Sequence, residues 1–245
     1  MRCVVGCVAA LVCAAGVGHG SENENTAAKP DAEASPRVMY FSGIDVWRHG
    51  AFAHGGLLWS PDGLFREGFT LKVLGATGTY RYMSGGLGDV EVTGQHLLGA
   101  FMPGWRFKWD KLELTLFAGL DLQNHRLLPD DPFGRLRGTY AGLRAGADLW
   151  YEPLSAMMLA ANASVSSIGP NYWTRAATGW RVLDKFWLGP EALALGDLTY
   201  QQYRLGAHVT GFKTKRFEWS AGAGWVTDTD RRRGFYGRVG VLMRR

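Results

Sequence analysis

The chain has 245 residues and a formal net charge of +5, and 47% of its residues are hydrophobic, which suits one large β domain or two small ones. Its basic residues are spread among acidic ones and form no stripe, so nucleic-acid binding has little support. The 34 glycines, 10 tryptophans, 9 tyrosines and 12 phenylalanines favour an all-β architecture.

The N-terminal segment, residues 1–20, has the features of a secretory signal peptide. A basic start precedes an apolar stretch that ends at Val17, and a small-residue exit follows at 18–20. All three cysteines lie in this segment, so a cleaved chain has no thiol and no disulfide. Residues 21–37 are polar and lack apolar periodicity, which predicts a disordered periplasmic tether. Residues 38–245 are expected to form one β-barrel domain.

Turn signals divide the chain from Met39 onward into extended segments. An even strand number and strands of at least about 9 to 11 residues are typical of single-chain outer-membrane barrels. The pattern predicts an antiparallel up-and-down transmembrane β-barrel of about twelve strands. The segments are 39–48, 51–60, 66–83, 89–108, 111–126, 136–151, 155–167, 172–183, 185–195, 199–213, 216–227 and 234–245.

The connections between these segments fall into two alternating sets. Such barrels have short periplasmic turns and longer outer loops. The predicted periplasmic turns are 61–63, 109–111, 152–154, 183–185 and 213–215. The predicted outer connections are 49–50, 84–88, 127–135, 168–171, 196–198 and 228–233. With both chain ends in the periplasm, the longest loops face outward.

The segment 111–123 has the clearest two-faced pattern. Its even positions from Leu112 to Leu122 are aliphatic, whereas its odd positions include Glu113 and Asp121. Because side chains of a strand alternate faces, one side is apolar and the other polar. A soluble barrel would alternate equally but turn the aliphatic face inward. Charges and glycines on the polar face, and aromatic residues near strand ends, favour the membrane barrel.

The predicted inward face collects acidic and basic side chains in balanced numbers. They could form a polar conduit or a ligand site, or an ion-pair lattice that fills the barrel, and balanced signs favour the lattice. The lumen-facing candidates are Asp45, Lys72, Glu113, Asp121, Arg144, Asp148, Arg175, Arg181, Glu191, Arg204, His208, Glu218 and Arg238, with Glu91 as a further acid. Candidate inward aromatics, for sugar stacking or for filling space, are Trp47, Phe117, Tyr140, Trp150, Trp187 and Tyr236.

Catalytic and metal chemistry finds no adequate residue set. The sequence 208–210 places threonine, not serine, beside His208, so no catalytic residues are assigned and the protein is expected not to be an enzyme. The histidines lack metal-ligand spacing, and the acidic pairs in 130–131 and 228–230 read as solvated loops, so neither metal nor cofactor is expected. The basic run 231–233 could meet lipopolysaccharide phosphates.

Several short runs together resemble the cellulose biosynthesis protein BcsS family of alphaproteobacteria. They are 40–45 (YFSGID), 117–126 (FAGLDLQNHR), 143–146 (LRAG), 166–170 (SSIGP), 179–181 (GWR), 188–191 (LGPE) and 205–208 (LGAH). The resemblance extends from Tyr40 to the C-terminus. It implies a β-barrel at the outer membrane that works with the cellulose synthase machinery and its glucan polymer.

The first hypothesis is therefore an outer-membrane accessory barrel that assists cellulose assembly or export, as a conduit or a docking platform, in contact with outer-membrane lipid. The alternatives are a barrel enzyme acting on lipid or polysaccharide, and a plugged structural or adhesive barrel. The chain ends at Arg245 without the terminal aromatic residue that is usual in outer-membrane barrels.

Overall fold

The computed structural model describes residues 35–245. The predicted signal peptide and residues 21–34 of the predicted tether lie outside these residues. Within the described part of the chain, no helix is long and apolar enough to span a membrane.

Twelve antiparallel strands form one closed barrel, as predicted. Each strand pairs with its neighbours in sequence, and β1 pairs with β12 to close the ring. The strands are β1 (Val38–Trp47), β2 (Gly50–Trp59), β3 (Gly68–Ser84), β4 (Val90–Trp109), β5 (Leu112–Leu128), β6 (Gly138–Leu154), β7 (Met157–Ser166), β8 (Tyr172–Val182), β9 (Phe186–Gly196), β10 (Gln201–Thr214), β11 (Phe217–Asp228) and β12 (Arg233–Arg244). A 3-10 turn, Gly85–Leu87, lies between β3 and β4.

The aliphatic face of the strands points out of the barrel. In β5, Leu120 and Leu122 are 61% and 56% exposed, whereas Asp121 between them is fully buried. The inward neighbours Phe117 and Gln123 are buried as well. A soluble barrel would show the reverse arrangement, so the fold is of the transmembrane type.

Aromatic side chains mark two levels of the outer surface. We call the end that holds the start of β1 and the finish of β12 the terminal end, and the opposite one the loop end. In β10, exposed Tyr203 lies toward the loop end and exposed Phe212 lies nine residues away toward the terminal end. At about 3.3 Å per residue and a tilt of about 40°, they are about 23 Å apart along the axis, close to the height of a membrane-facing band.

Two of the predicted short turns differ from the structure. The β2–β3 connection spans residues 60–67, because Leu64 folds back into the barrel, where it is 1% exposed and its N–H donates to the Pro36 carbonyl (2.8 Å). The predicted turn 152–154 belongs to β6, whose pairing with β7 shifts register between Tyr151 and Leu154. Because proline has no N–H for the ladder, Pro153 interrupts the pairing without ending the strand.

Candidate functional site

The lumen holds most of the side chains that the alternation assigned to it. Buried inside the barrel are Asp45, Lys72, Glu113, Asp121, Arg144, Arg175, Glu191, Arg204, His208, Glu218 and Arg238. Asp148 and Arg181 are partly buried, with 27% and 17% of their side-chain surface exposed.

Glu91 is a correction to the predicted inward set. Its side chain is 53% exposed and lies 3.9 Å from the exposed guanidinium of Arg81. The inward set of β4 starts at Val92 and continues at Gly94 and His96, both buried. Because faces alternate with a period of two, the odd-numbered Glu91 turns outward.

Glu191 in β9 is the centre of the first lumen cluster. Its carboxylate accepts hydrogen bonds from Arg175 Nε of β8 (2.9 Å) and Arg238 Nε of β12 (3.0 Å). Tyr236 Oη donates a further bond to Oε1 (3.1 Å). One buried acid thus joins two arginines from strands on either side of it, which keeps all three charges in hydrogen-bonded contact.

A hydrogen-bond chain leads from the lumen to the loop end. Arg204 Nη1 contacts both carboxylate oxygens of Asp45 at 2.7 Å, and Arg204 Nε donates to Gln202 Oε1 (2.7 Å). Gln202 Nε2 donates to Tyr200 Oη (2.9 Å), and Tyr200 O–H donates to Asp228 Oδ2 (3.1 Å). Burial, together with the charge of Asp228, raises the pKa of Tyr200 above its ordinary value.

Asp121 of β5 is the centre of a second buried cluster. Its Oδ2 accepts hydrogen bonds from Arg144 Nη2 (2.9 Å), Gln123 Nε2 (2.8 Å) and Ser166 Oγ (2.5 Å). Arg144 Nη1 also donates to Ser164 Oγ (3.0 Å). The pair therefore links β5, β6 and β7 through a carboxylate with no exposed surface.

Two stacked histidines extend this cluster toward the loop end. His96 and His125 have ring centroids 4.4 Å apart, and each Nε2 lies within hydrogen-bond distance of Gln123 Oε1, at 3.2 and 3.0 Å. Since a carbonyl oxygen accepts only, both rings must carry a proton on Nε2. This geometry gives the histidines a packing role in the lattice.

His208 binds a backbone carbonyl at the point where the β8–β9 pairing is interrupted. The pairing runs to Ala177 and Glu191 and resumes at Trp180 and Leu188, because Pro190 has no N–H to donate between them. His208 Nε2 lies 3.1 Å from the Thr178 carbonyl oxygen, and Nδ1 lies 2.9 Å from Thr210 Oγ1.

The remaining candidates pair mainly with residues that the sequence did not single out. Lys72 contacts Asp148 (2.8 Å) and lies over the Phe117 ring. Partners that sequence reasoning missed are Lys108 for Glu113 (3.2 Å), Arg244 for Glu218 (2.7 Å) and Glu152 for Arg181 (3.3 Å). These partners lie at the ends of strands or beside turns, where alternation does not predict which way a side chain points. The inward positions of Gln123 and Gln202 could be predicted from alternation alone.

Apolar side chains close the lumen between the ionic clusters. Phe52 of β2 and Trp173 of β8 belong to one buried cluster, with Leu193, Val226 and Tyr236 among its members. β2 and β8 are six strands apart in the ring of twelve, and the cluster extends from one to the other through members on β9, β11 and β12. Trp173 is 2% exposed although it points into the lumen, so little free space surrounds it. Trp47 and Tyr80 pack against the cluster. A polymer could not follow the barrel axis past this layer without displacing it.

A second apolar cluster fills the barrel toward the terminal end. Leu64 of the β2–β3 connection is buried there with Met39, Phe41, Met102 and Leu242. This cluster contains side chains from six strands in addition to the connection. The terminal end is thus filled by the chain's own residues.

The loops at the other end are tied to the wall. Tyr82 Oη and the Phe133 N–H donate to Asp131 at 2.9 and 3.0 Å. Burial would raise the pKa of Asp131, but hydrogen bonds from Ser84, Tyr82 and Phe133 outweigh it and hold that pKa below its ordinary value. Arg232 binds Asp228 (2.8 Å) and donates to the Arg81 carbonyl (2.7 Å) across the mouth of the barrel.

In the part of the chain that the structure describes, neither His208 nor His125 makes a hydrogen bond to a serine side chain that could act as a nucleophile. Among the described residues, His208 contacts Thr210 and Thr178, and His125 contacts Gln123, with neither serine nor carboxylate bound to either ring. No group of three or more His, Cys, Asp or Glu side chains in residues 35–245 is placed to hold a metal ion.

Fold and lumen together define a closed twelve-stranded transmembrane-type barrel with an apolar outer face and a core of ion pairs and apolar layers. Residues 39–245 match the family described as cellulose biosynthesis protein BcsS. The chain belongs to this family, and the resemblance read from its sequence motifs is confirmed.

Among solved structures the chain is similar to several barrels. The KdgM porin has 9% identity and a TM-score of 0.47, with 84% of this chain and 98% of that chain covered. The KdgM porin in complex with disordered oligogalacturonate has 12% identity and a TM-score of 0.45, with 84% and 97% covered. The transport unit of the autotransporter AIDA-I from Escherichia coli has 12% identity and a TM-score of 0.49, with 89% and 93% covered. No curated protein matches the sequence.

Proposed function

We propose that this protein is an outer-membrane accessory barrel of cellulose biosynthesis that acts as a closed docking platform, without enzymatic activity and without conducting the polymer. Family membership supports the link to cellulose. The observation that carries the closed state is the burial of inward side chains such as Phe52 and Trp173, which would be exposed in an open lumen.

The outer face supports placement in the outer membrane. Exposed leucines, valines and aromatic residues surround the barrel, and the outward charges Arg81, Glu91 and Arg126 lie near the ends of their strands. Strands cross a bilayer only when the sheet is closed, and an even strand number with a band about 25 Å tall is typical of outer-membrane barrels. The platform would thus present its loop end to the exterior and its terminal end to the periplasm, where the cellulose synthase machinery delivers glucan.

Passage of a glucan would require the lumen to lose its internal contacts. Breaking one partner out of a buried ion pair costs about 3–5 kcal/mol, and the lumen contains several such pairs. The apolar layers would also have to leave the axis. This balance supports a role in which the barrel wall and loops make the contacts.

Conductance of the refolded full chain in planar bilayers tests the closed state. We expect no stable conductance steps, with a general porin reconstituted in parallel as the positive control. Reproducible steps whose ion selectivity changes in Arg144→Glu, Arg204→Glu and Arg238→Glu variants would establish a conducting lumen and remove the proposal.

Deletion of the chain tests the link to cellulose separately. We expect the amount or the cell-surface location of extracellular glucan to change, and complementation with the full chain to restore it. Normal glucan amount and location after deletion would remove the proposed role, whatever the bilayer experiment gives.

A further inference from the structure

A groove of about 670 Å³ interrupts the outer face of β2 to β5 near the loop end. Its lining includes Ala51, Ala53, Thr77, Thr79, Gln95 and Arg126. We call it the outer groove. The groove forms because the outward side chains of β2 and β3 are small, whereas the larger side chains of Ile44 on β1 and Leu97 on β4 project outward on either side.

The floor of this groove continues toward the middle of the outer face as a row of glycines. Gly55, Gly75 and Gly99 lie side by side on β2, β3 and β4. A Cβ at Gly99 would meet nothing within 4 Å, and one at Gly75 would meet only carbonyl oxygens at 3.9 and 4.0 Å. Packing within the barrel therefore does not require glycine at Gly75 or Gly99. Strand glycines often mark a bulge, a tight bend or the close approach of a ligand or another backbone, and no bulge interrupts the pairing here.

Arg126 supplies a positive charge at the edge of the groove nearest the loop end. It is exposed on the outward face of β5, opposite Gln95, which in turn lies opposite Thr79. Among the described residues, Arg126 makes no hydrogen bond or ion pair. An exposed guanidinium with donors in a planar fork is suited to binding phosphate.

The other charges near the groove leave this edge positive. Arg81 lies next to Glu91 at 3.9 Å, and Arg137 lies next to Asp130 at 3.5 Å. Glu91 and Asp130 thus each have an arginine partner, and Asp131 is bound by Tyr82 and the Phe133 N–H. Arg126 remains as the surplus charge, and it attracts an anion.

The height of Arg126 matches a membrane interface. Its partner Gln95 lies ten residues from Trp105, an exposed aromatic residue toward the terminal end of β4. At about 3.3 Å per residue and a tilt of about 40°, these levels are about 25 Å apart, the height of the apolar band of such barrels. Arg126 therefore lies where lipid headgroups begin.

We propose that the outer groove binds a phosphorylated glycolipid of the outer leaflet. The phosphate contacts Arg126, the sugar contacts Gln95 and Thr79, and an acyl chain lies along the floor by Gly75 and Gly99. This inference rests on the proposed location of the barrel in the outer membrane.

Native mass spectrometry of the refolded full chain tests the site, with bisphosphorylated lipid A and the same lipid freed of phosphate as probes. We expect wild type to retain the phosphorylated form about fivefold more, since charge-assisted bonds add to its binding. Arg126→Gln should remove this preference. Arg216→Gln, at an exposed arginine in the β10–β11 turn of the terminal end, is the matched control and should keep it.

A second pair of variants tests the groove itself. Ala53→Leu fills the groove from an outward position and should reduce retention of both lipids. Ala163→Leu, an equally outward position on β7 across the barrel, should leave retention unchanged. Equal retention of the two lipids by wild type, or the same preference in Arg126→Gln as in wild type, would overturn the site, as would equal losses in both members of either pair.

Heat-modifiable gel mobility in lipid vesicles separates the two levels of the proposal. A chain that gives no heat-modifiable band in vesicles would contradict the membrane location. A folded barrel in vesicles without lipid preference would contradict the glycolipid site alone.

Discussion

Glu191 shows how charge is accommodated inside this barrel. Removing a carboxylate from water is costly, and the loss is offset only when hydrogen bonds and opposite charges surround it. Arg175 of β8 and Tyr236 and Arg238 of β12 provide this environment from two other strands. The acid therefore contributes by joining β8 and β12 to β9.

Replacement of Glu191 by glutamine should lower the free energy of unfolding by about 3–5 kcal/mol, because both arginines lose their shared carboxylate inside the lumen. Urea unfolding of the refolded full chain, followed by tryptophan fluorescence, measures the change. Glu91→Gln is the matched control and should cost less than about 1 kcal/mol, since its pair with Arg81 is exposed. Equal losses would contradict the difference in burial.

Asp131 predicts a pH-dependent loop. Its pKa is lowered in the folded state, so its stabilising contribution is complete above the ordinary carboxyl pKa and is lost as the pH falls through the lowered value. We expect loop 129–137 to become sensitive to an acid-active protease below about pH 4. Asp131→Asn should make the loop sensitive to a neutral-active protease at pH 7, because a neutral amide accepts more weakly from Tyr82 and Phe133.

Wild-type protein at pH 7 is the reference for that experiment. Cleavage in the loop should precede unfolding of the barrel on the gel. If the Asn variant resists proteolysis at pH 7 as wild type does, Asp131 does not hold the loop.

At the scale of the element, β5 shows what orients a strand in this wall. Its leucines are more stable in lipid than in water, whereas its Asp121 and Gln123 have hydrogen-bond partners in the lumen. A rotation of the strand would expose the charges to hydrocarbon and bury the leucines among ions. The two preferences act in the same direction.

Leu120→Arg tests this orientation. Leu120 lies near the middle of the outer face, so arginine should cost about 2–4 kcal/mol in lipid vesicles. Leu128→Arg, near the loop end of the same strand, should cost about 0–1 kcal/mol. Urea unfolding in vesicles gives both values. The absence of a difference between the two positions would contradict a membrane band centred near Leu120.

At the scale of the whole molecule, the lumen is the feature that limits function. Ionic clusters around Glu191 and Asp121 and the apolar layer with Trp173 fill successive parts of the barrel. Leu64 packs into the terminal end, and Arg232 crosses the loop end. The wall and the loops are therefore the surfaces left for partners.

Trp173→Ala should destabilise the barrel by about 3–5 kcal/mol, because it leaves a cavity in the lumen. Trp173→Phe should cost much less, since Trp173 Nε1 has no acceptor among the described residues. The matched control is Trp225→Ala, which removes a 46% exposed side chain and its ring contact with Phe235, worth about 1.5 kcal/mol or less.

Thermal unfolding on heat-modifiable gels measures all three tryptophan variants. Equal midpoints for Trp173→Ala and Trp225→Ala would mean that Trp173 does not brace the lumen. In that case the closed state would need another cause.

The alternation of side chains predicted much of the fold, because facing is a local property of an extended chain. The strand at Leu112–Leu128 and the inward positions of Asp121 and Arg144 follow from it. Glu91 was assigned to the wrong face because the turn before β4 determines which residues of the strand point inward. The alternation pattern of the strand carries no information about the geometry of that turn. The fold of residues 60–67 was missed because Leu64 finds its contacts on other strands.

By itself, the sequence determined the number of strands, their two unlike faces and the family, since each of these depends on local order along the chain. Only the tertiary structure decided that Glu191 binds Arg238 from three strands away, that Phe52 and Trp173 belong to one buried cluster, and that the lumen is filled. Such contacts depend on how the sheet closes on itself. Closure of the barrel brings side chains into contact, and their separation along the chain does not predict this proximity.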